Sequence, residues 1–510
     1  LEVLVMTDPH GGATELLLQE SRRPRPLAQE RAEAWEAAKA LGGMPLALVM
    51  GGALVREERW SFERLVTELD AVLKLRPESG EYPDSVVGAV LLTHERLRAD
   101  LPWAAVLAEL CAWLAPEGLE EGLFAGSVAG GKWKTARTLT TPEVRDLLEH
   151  PENMRAALRG LRRWSVLSDK GAMHRLTQAV LRGTGGQAMA ESAAAVLAAQ
   201  FPNGKDGPAF VHSWPTCRLI LPHVQALWAA AEPLWHSTWG QPGWAAMDYL
   251  LNQSGLFLST QHDLAGAVAL KRGSLALMEA RLGEEDRDIT TALGNLALDL
   301  ANLGEFAEAQ DKIDRAVALA EAHRKGTERA ELATLYMQQA SLAFRRMEAG
   351  GQVADGAEAM AEAALDKARG IRVELFGEDS AEMSNWWNSM GYLRGLQRRK
   401  GAELQAYKRA LEICRALPQA DRGVLATRAM NYGSTALELG RAEKAQGALQ
   451  EAYEIAAEIF AEVPNHPNLR TMAHWLAACL MVLARKGQGT RAQAEKICAR
   501  HGLDLAEREA

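Results

Sequence analysis

The sequence predicts an all-α chain in two parts: a non-repeating helical first half with one small β-hairpin, then a solenoid of stacked helix pairs. Three observations predict it. Apolar residues recur with the 3.6-residue period of amphipathic helices in almost every segment, in a chain rich in Ala, Leu, Glu and Arg. In the second half, segments 42 residues apart repeat one another. One stretch breaks the helical rhythm: Trp164–Leu167 and Gly171–His174 are two short runs turning at Ser168-Asp169-Lys170.

Taken in order, residues 28–55 and 61–74 read as helices separated by Arg59-Trp60-Ser61, with Ser61 placed to cap the second. Within the first, Gly42-Gly43-Met44-Pro45 also has the form of a break, since Pro is tolerated at a first helical turn. Shorter helices follow: 87–98 leads to Pro102, 103–114 to Pro116, then come 142–149 and 152–163. With the hairpin at 164–174 they fit a winged helix. Gly, Pro and polar residues at 183–187 and 202–208 predict a linker. Next is a tryptophan-rich helical segment, with Trp214, Trp228, Trp235, Trp239 and Trp244, expected to fill a domain junction.

The remainder repeats. Asn295–Ala309 aligns with Gln253–Ala267, and Gly304 answers His262. A later copy ends Gly440-Arg441-Ala442-Glu443-Lys444-Ala445, and its Ala452 answers Ala316. Small residues recur where the first helix of each pair would be crossed: Gly255, Ala297, Gly391 and Gly433. Such a unit cannot bury its apolar face alone, so about six copies over 246–500 must stack. Ala349-Gly350-Gly351-Gln352 interrupts the third copy, and Lys400-Gly401 is misplaced in the fourth, which leaves that turn open. Trp386, Trp387 and Tyr392 are candidate ligand anchors in a groove, with core packing the plainer role.

Bulk numbers narrow the function. The 510 residues allow two to four domains, 48% apolar and 24% charged. A net charge of −9 argues against a general nucleic-acid binder. Five scattered cysteines with no C-x-x-C spacing suggest neither zinc nor disulfides, but buried apolar residues in a reducing cytosol. No apolar run reaches the ~18–20 residues of a membrane span. Leu1-Glu2-Val3-Leu4-Val5 has no signal-peptide character, and the missing initiator Met fits a fragment or processed chain. No nucleophile, base and acid arrangement marks an enzyme site, so the chain by itself reads as non-catalytic. Arg155, Arg159, Arg162 and Arg163 form a basic helix face, read as solvated or interdomain in preference to a DNA-recognition surface.

Gly42-Gly43-Met44-Pro45-Leu46-Ala47-Leu48 and Met173-His174-Arg175-Leu176-Thr177-Gln178-Ala179-Val180 resemble the GLPL and MHD-type motifs of STAND-class signalling NTPases, the NB-ARC and NLR-like switches. Leu101-Pro102-Trp103 and Leu114-Ala115-Pro116-Glu117 resemble that family's winged-helix entry. His174–Gln178 resembles its exit, and Trp214–His223 the bridge before the sensor. The repeats resemble tetratricopeptide repeats in the long form of kinesin light chains. Arg175 stands where the motif usually has Asp.

The resemblance implies an ARC-type helical domain (1–80), a winged helix (81–183), a helical bridge (184–244) and a tetratricopeptide superhelix (245–510). It implies that Pro45 lies against the adenine and that His174 reaches the β-phosphate of ADP. ADP or ATP with Mg would bind the intact protein. Tight binding here is not expected, because 41 residues before Gly42 cannot hold a P-loop domain. Gly126–Lys132 matches G-x-x-x-x-G-K, but Trp133 follows where a Mg-binding Ser or Thr belongs, so it reads as a decoy. The implied function is sensing: the concave superhelix binds a protein or peptide trigger, and the switch self-associates. The implied setting is cytoplasmic, with no membrane partner and nucleic acid unexpected. Antiviral defence is the family's commonest role. A plain interaction scaffold and a transcriptional regulator are the alternatives.

Overall fold

Helix breakers divide the first 260 residues more finely than the apolar period does. In this computed structural model, residues 11–74, 83–124, 133–204, 207–235, 241–322, 328–461 and 463–503 are described. The early helices are α1 (Gly12–Glu20), α2 (Ala28–Ala40), α3 (Pro45–Glu58), α4 (Phe62–Lys74), α5 (Asp84–Asp100) and α6 (Pro102–Cys111). After them come α7 (Trp133–Ala136), α8 (Pro142–Glu149), α9 (Pro151–Arg163), α10 (Arg175–Gln200), α11 (Trp214–Trp235) and α12 (Gln241–Thr260). Pro opens α3, α6, α8 and α9, where its missing N–H costs nothing. The Ser61 hydroxyl accepts from Arg64 N–H at 3.2 Å, the expected cap.

Three expectations are corrected. The stretch 28–55 is two helices, because Gly42 and Gly43 both take left-handed φ (65° and 63°) and end α2. The hairpin is absent: among the described residues 164–174 contains no strand. Its first half is the tail of α9, with Val166 and Leu167 N–H both donating to Leu161 O. Its second half makes isolated bonds to 116–119, Met173 N–H to Pro116 O (2.8 Å) and Leu119 N–H to Gly171 O (2.9 Å). The linker expected at 183–187 is instead a kink inside α10, at Gly186 (φ 56°, ψ −157°).

The chain forms two compact units, Leu1–Thr260 and Gln261–Ala510. In the first, α5 and α6 pack against α10, and α6 also against α9. Arg56 bonds Glu20 O and Arg163 O, and the buried Glu57 pairs with Arg56 and Arg163, tying α1, α3 and α9 together. Trp228 stacks on Trp235 (5.3 Å), and Trp214 N–H donates to Pro208 O; Trp239 lies outside the described residues.

The second unit holds α13 (Leu264–Leu282), α14 (Thr290–Leu303), α15 (Phe306–Ala322), α16 (Glu328–Ala349), α17 (Ala357–Phe376) and α18 (Ala381–Leu396). It continues with α19 (Lys400–Ala416), α20 (Arg422–Glu438), α21 (Ala442–Ile459), α22 (Pro467–Arg485) and α23 (Arg491–His501). From α14 onward they stack as an α-solenoid of successive pairs, the first helices of neighbouring pairs adjoining. Three of the four small residues, Ala297, Gly391 and Gly433, stand where expected, while Gly255 falls on α12 in the first unit. A Cβ on Gly391 would come 2.6 Å from the Tyr407 ring, one on Gly433 2.6 Å from Leu449, and Ala297 is buried. The inserted glycines of the third copy, Gly350, Gly351 and Gly356, all take positive φ between α16 and α17.

The open turn of the fourth copy is resolved. Pairs turn at a left-handed residue, which is Gly304, Gly440 or Gly487 in three of them. Between α18 and α19 it is Arg398 (φ 59°), whose N–H bonds Gly395 O while Arg399 N–H bonds Arg394 O. Gly401 lies inside α19 with open space where a Cβ would be. A left-handed non-glycine costs roughly 1–2 kcal/mol, and Gly in place of Ala, here at the second residue of α19, about 0.4–1 through the freedom of the unfolded chain. Arg398→Gly and Gly401→Ala should therefore each stabilise the chain by ~0.5–1 kcal/mol in urea unfolding. Gly433→Leu should cost ~1–3 kcal/mol by overpacking. A destabilised Arg398→Gly protein would refute the turn assignment.

Candidate functional site

Pro45 and His174 both stand exposed at helix starts. Pro45 is the first residue of α3. His174 caps α10: its Nδ1 accepts Leu176 N–H at 3.1 Å, so the neutral ring carries its proton on Nε2. The two helices meet further along, where Met50 and Thr177 surround one packed spot with Val90, His94 and Val166.

The rest of the His174 motif grips the end of α6. Gln178 is buried, and its amide donates to Cys111 O and Leu114 O, both at 3.0 Å. One turn later Arg182 donates to Ala112 O at 3.0 Å. Cys111 O, which also takes Leu114 N–H, closes the helix, and Ala112 O and Leu114 O lie just past it, where no regular structure supplies donors. The bridge helix α11 grips the same segment: buried His223 accepts Ala115 N–H on Nδ1 at 3.2 Å. Burial holds His223 down to about 4. Sequence reading singled out 174–178 and 214–223 without finding these roles for Gln178 and His223.

A second polar group lies beside the α10 kink. Glu109 takes His94 Nε2 at 2.8 Å and Arg98 at 2.5 Å. Burial pushes its carboxyl up, but His94 and Arg98 outweigh that and hold it below the usual range. A Cβ on Gly185 would come 3.2 Å from Glu109, so the acid packs against the hinge residues. On the basic face of α9, Arg155 pairs with Glu121 (3.2 Å) and Arg163 with Glu57. Gly126–Lys132 lies outside the described residues.

In the second unit a track of polar side chains crosses the first helices. Gln338 bonds Asn295 (3.4 Å), Arg345 bonds Asn302 (2.9 Å), Arg428 bonds Asn385 (2.5 Å) and Asn431 bonds Asn388 (2.8 Å). Each pair is separated by 43 residues, on neighbouring first helices. An Asn or Gln amide has two donors and two acceptor lone pairs, so one bond to a neighbour leaves capacity for a ligand. Sequence reading missed this track; its signal was polar residues recurring at the repeat spacing. Of the three aromatic candidates, Trp386 belongs to the core, 4% exposed with its N–H on Leu365 O. Trp387 packs edge-on against it at 4.9 Å. Tyr392 is half-buried beside the track, its ring on Phe344 and its hydroxyl on Glu348.

Among the described residues no group of three His, Cys, Asp or Glu could hold a metal ion, and no helix is long and apolar enough to cross a membrane. All five cysteines are buried.

No family model and no curated protein matches the chain. Among solved structures it is similar to a signal transduction ATPase with numerous domains (STAND) bearing a tetratricopeptide repeat sensor, from Pyrococcus horikoshii. That match has 12% identity and TM-score 0.35 over 99% of this chain and 71% of the other. It is also similar to a Rap protein complexed with competence and sporulation factor, at 12% identity and TM-score 0.38 over 76% and 94%. A third likeness is to BtubC from P. vanneervenii, at 20% identity and TM-score 0.35 over 48% and 90%. Likenesses this distant say nothing of function.

The buried His223 makes stability depend on pH. Unfolded, the ring takes a proton near 6.5; folded, only near 4. Its contribution is fully present above the unfolded value and is lost as pH falls toward the folded one. Between pH 7 and 5 the chain should lose ~2 kcal/mol through this group. His223→Asn keeps an acceptor for Ala115 N–H but does not titrate. Urea unfolding should show a smaller loss in the variant by about that amount; parallel pH curves would refute the assignment.

Proposed function

We propose that this chain is the sensing and control part of a nucleotide-driven switch of the STAND kind, with an ARC-type segment, a helical segment standing where the winged helix belongs but without its β-hairpin, and a bridge in its first unit. The second unit, of the tetratricopeptide type, takes up a protein or peptide segment along the track of Asn295, Gln338, Asn388 and Asn431. The first unit relays that event to ADP or ATP with Mg, held by an ATPase domain. Release of ADP then permits self-association, and antiviral defence is the setting we assign. The observation that carries the reading is the row of side-chain bonds at 43-residue spacing. Amides so aligned match the donors and acceptors that an extended main chain presents at regular intervals.

For the nucleotide, the tautomer of His174 supports the assignment. With Nδ1 occupied by Leu176 N–H, the exposed ring offers an Nε2–H donor at a helix start, where an anion is favoured. Pro45 is proposed as the adenine contact. Gln178, Arg182 and His223 fix the segment after α6, so a pull on α11 or α10 is felt by the same backbone.

Two measurements test this reading. A pooled library of N-acetylated, C-amidated octapeptides is passed over the immobilised chain. Asn388→Ala/Asn431→Ala should cut retention about tenfold relative to Lys408→Ala, an exposed change on α19; equal retention would overturn the track. In protein carrying the ATPase domain, His174→Ala removes a charge-assisted bond of ~1.5–3 kcal/mol from the ADP state alone. Mass photometry with ATP and no trigger should then show the assembled fraction raised roughly ten- to a hundred-fold. If the variant stays monomeric while trigger assembles it and the wild type alike, His174 is no latch.

A further inference from the structure

The kink of α10 borders a cavity in the first unit that neither the track nor the nucleotide contacts use. Its volume is about 410 Å³, within the range of small-ligand sites, about 300–1,000 Å³. Pro102 and Val106 of α6 form one side, Ala188 and Met189 of α10 another, and Thr141 before α8 a third. These walls are tied together. Thr141 N–H donates to Ser192 Oγ at 3.1 Å, joining the start of α8 to α10. The Thr141 hydroxyl accepts Val144 N–H at 3.3 Å and caps α8.

The polar chemistry is concentrated in one ion pair. Glu109 and Arg98 both line the cavity. Glu109 is only 6% exposed, and its Oε1 takes both His94 Nε2 and Arg98 Nη2. Its Oε2 stands beside Gly185, another lining residue: a Cβ there would come 3.3 Å from it. Among the described residues nothing donates to that oxygen. A buried carboxylate is costly unless its acceptor sites are filled, so a bare Oε2 calls for a donor. Arg98 is the converse. It is exposed and spends one nitrogen on Glu109, while Nε and Nη1 have no partner among the described residues. Glu143, exposed in the first turn of α8, adds a second acid to the lining and opposes a ligand that is only an anion.

We propose that this cavity binds a free α-amino acid with an apolar side chain, its ammonium on Glu109 Oε2, its carboxylate on Arg98 and its side chain against Pro102, Val106 and Met189. The ion pair has one unfilled acceptor and two unused donor nitrogens. An amino acid carries the complementary pair, donor and acceptor, on one carbon, and adds no net charge to the site. An amine alone leaves Arg98 unanswered. A carboxylic acid alone leaves Oε2 bare and faces two acids. Because Glu109 packs against Gly185, an occupied cavity braces α10 at its Gly186 kink. The inference uses residues of the first unit only and does not rest on the track.

The test is titration calorimetry of the full chain with three probes of one carbon skeleton: L-leucine, isoamylamine, which lacks its carboxylate, and isocaproate, which lacks its ammonium. Leucine should bind about tenfold more tightly than either, the loss of one charge-assisted bond. Arg98→Gln, on an exposed side chain, should bring leucine down to the level of isoamylamine and leave isoamylamine unchanged. Ala188→Leu fills the cavity from an exposed helical position and should abolish leucine binding while thermal unfolding stays that of the wild type. In the wild type alone, leucine should slow amide hydrogen exchange around Gly186. No binding of leucine, equal binding of leucine and either one-ended probe, or leucine binding unchanged in Arg98→Gln would overturn the proposal. So would full binding by Ala188→Leu, since the ligand would then lie elsewhere.

Discussion

The second unit depends on how closely its helices cross. Neighbouring helices in such a stack have no other core to join, so their separation is set by the smallest residue at the crossing. Gly391 leaves its place to the Tyr407 ring and Gly433 to Leu449, and Ala297 is wholly covered. Those contacts close each pair; between first helices it is Gly294, where a Cβ would come 2.8 Å from Leu335, that lets α14 and α16 lie near enough for Gln338 to reach Asn295. The buried Lys271–Asp299 pair, at 2.5 Å, joins α13 to α14. Polar continuity across the repeats thus follows from apolar packing beneath it.

The first unit solves a different problem. The segment from Cys111 to Leu119 leaves a helix and winds without regular structure, so its backbone groups need outside partners. Gln178 and Arg182 supply donors from α10, His223 an acceptor from α11, and Gly171 and Met173 close the remainder. Side chains from two helices and main-chain groups from a third segment converge on one stretch of main chain. Such a stretch cannot shift unless its clamps shift too.

Much of this was legible because it was local. Ser61 before a helical run, Pro142 and Pro151 at helix starts, and Gly304 and Gly440 at turns each act through neighbouring backbone. The helix at 142–149 matches its expected bounds. The failures were places where a local signal competed with another. Two short apolar runs around Ser168-Asp169-Lys170 look like a hairpin, but Val166 and Leu167 finish α9 instead. Gly401 looks like a turn glycine, yet Arg398 takes the left-handed place. The roles of Gln178 and His223 were invisible for a simpler reason. Their partners, Cys111 and Ala115, lie 67 and 108 residues away in sequence. The track itself was readable in principle, because its members share the spacing of the repeat.

The 43-residue interval also fixes a length in space. First helices packed side by side stand about 8–10 Å apart, set by their side chains. An extended β-strand rises about 3.3 Å per residue and turns its side chains over every second one. Three residues would then span one helix step but present alternating faces to successive helices. A polyproline-type strand rises about 3.1 Å per residue with three residues per turn, so it returns to the same face after ~9 Å. On the proposed reading, the bonded pairs Asn295–Gln338 and Asn388–Asn431 would each suit a guest that repeats its posture every third residue. A chain rich in proline would lose little disorder on adopting that posture, and its unpaired carbonyls would meet each amide in turn.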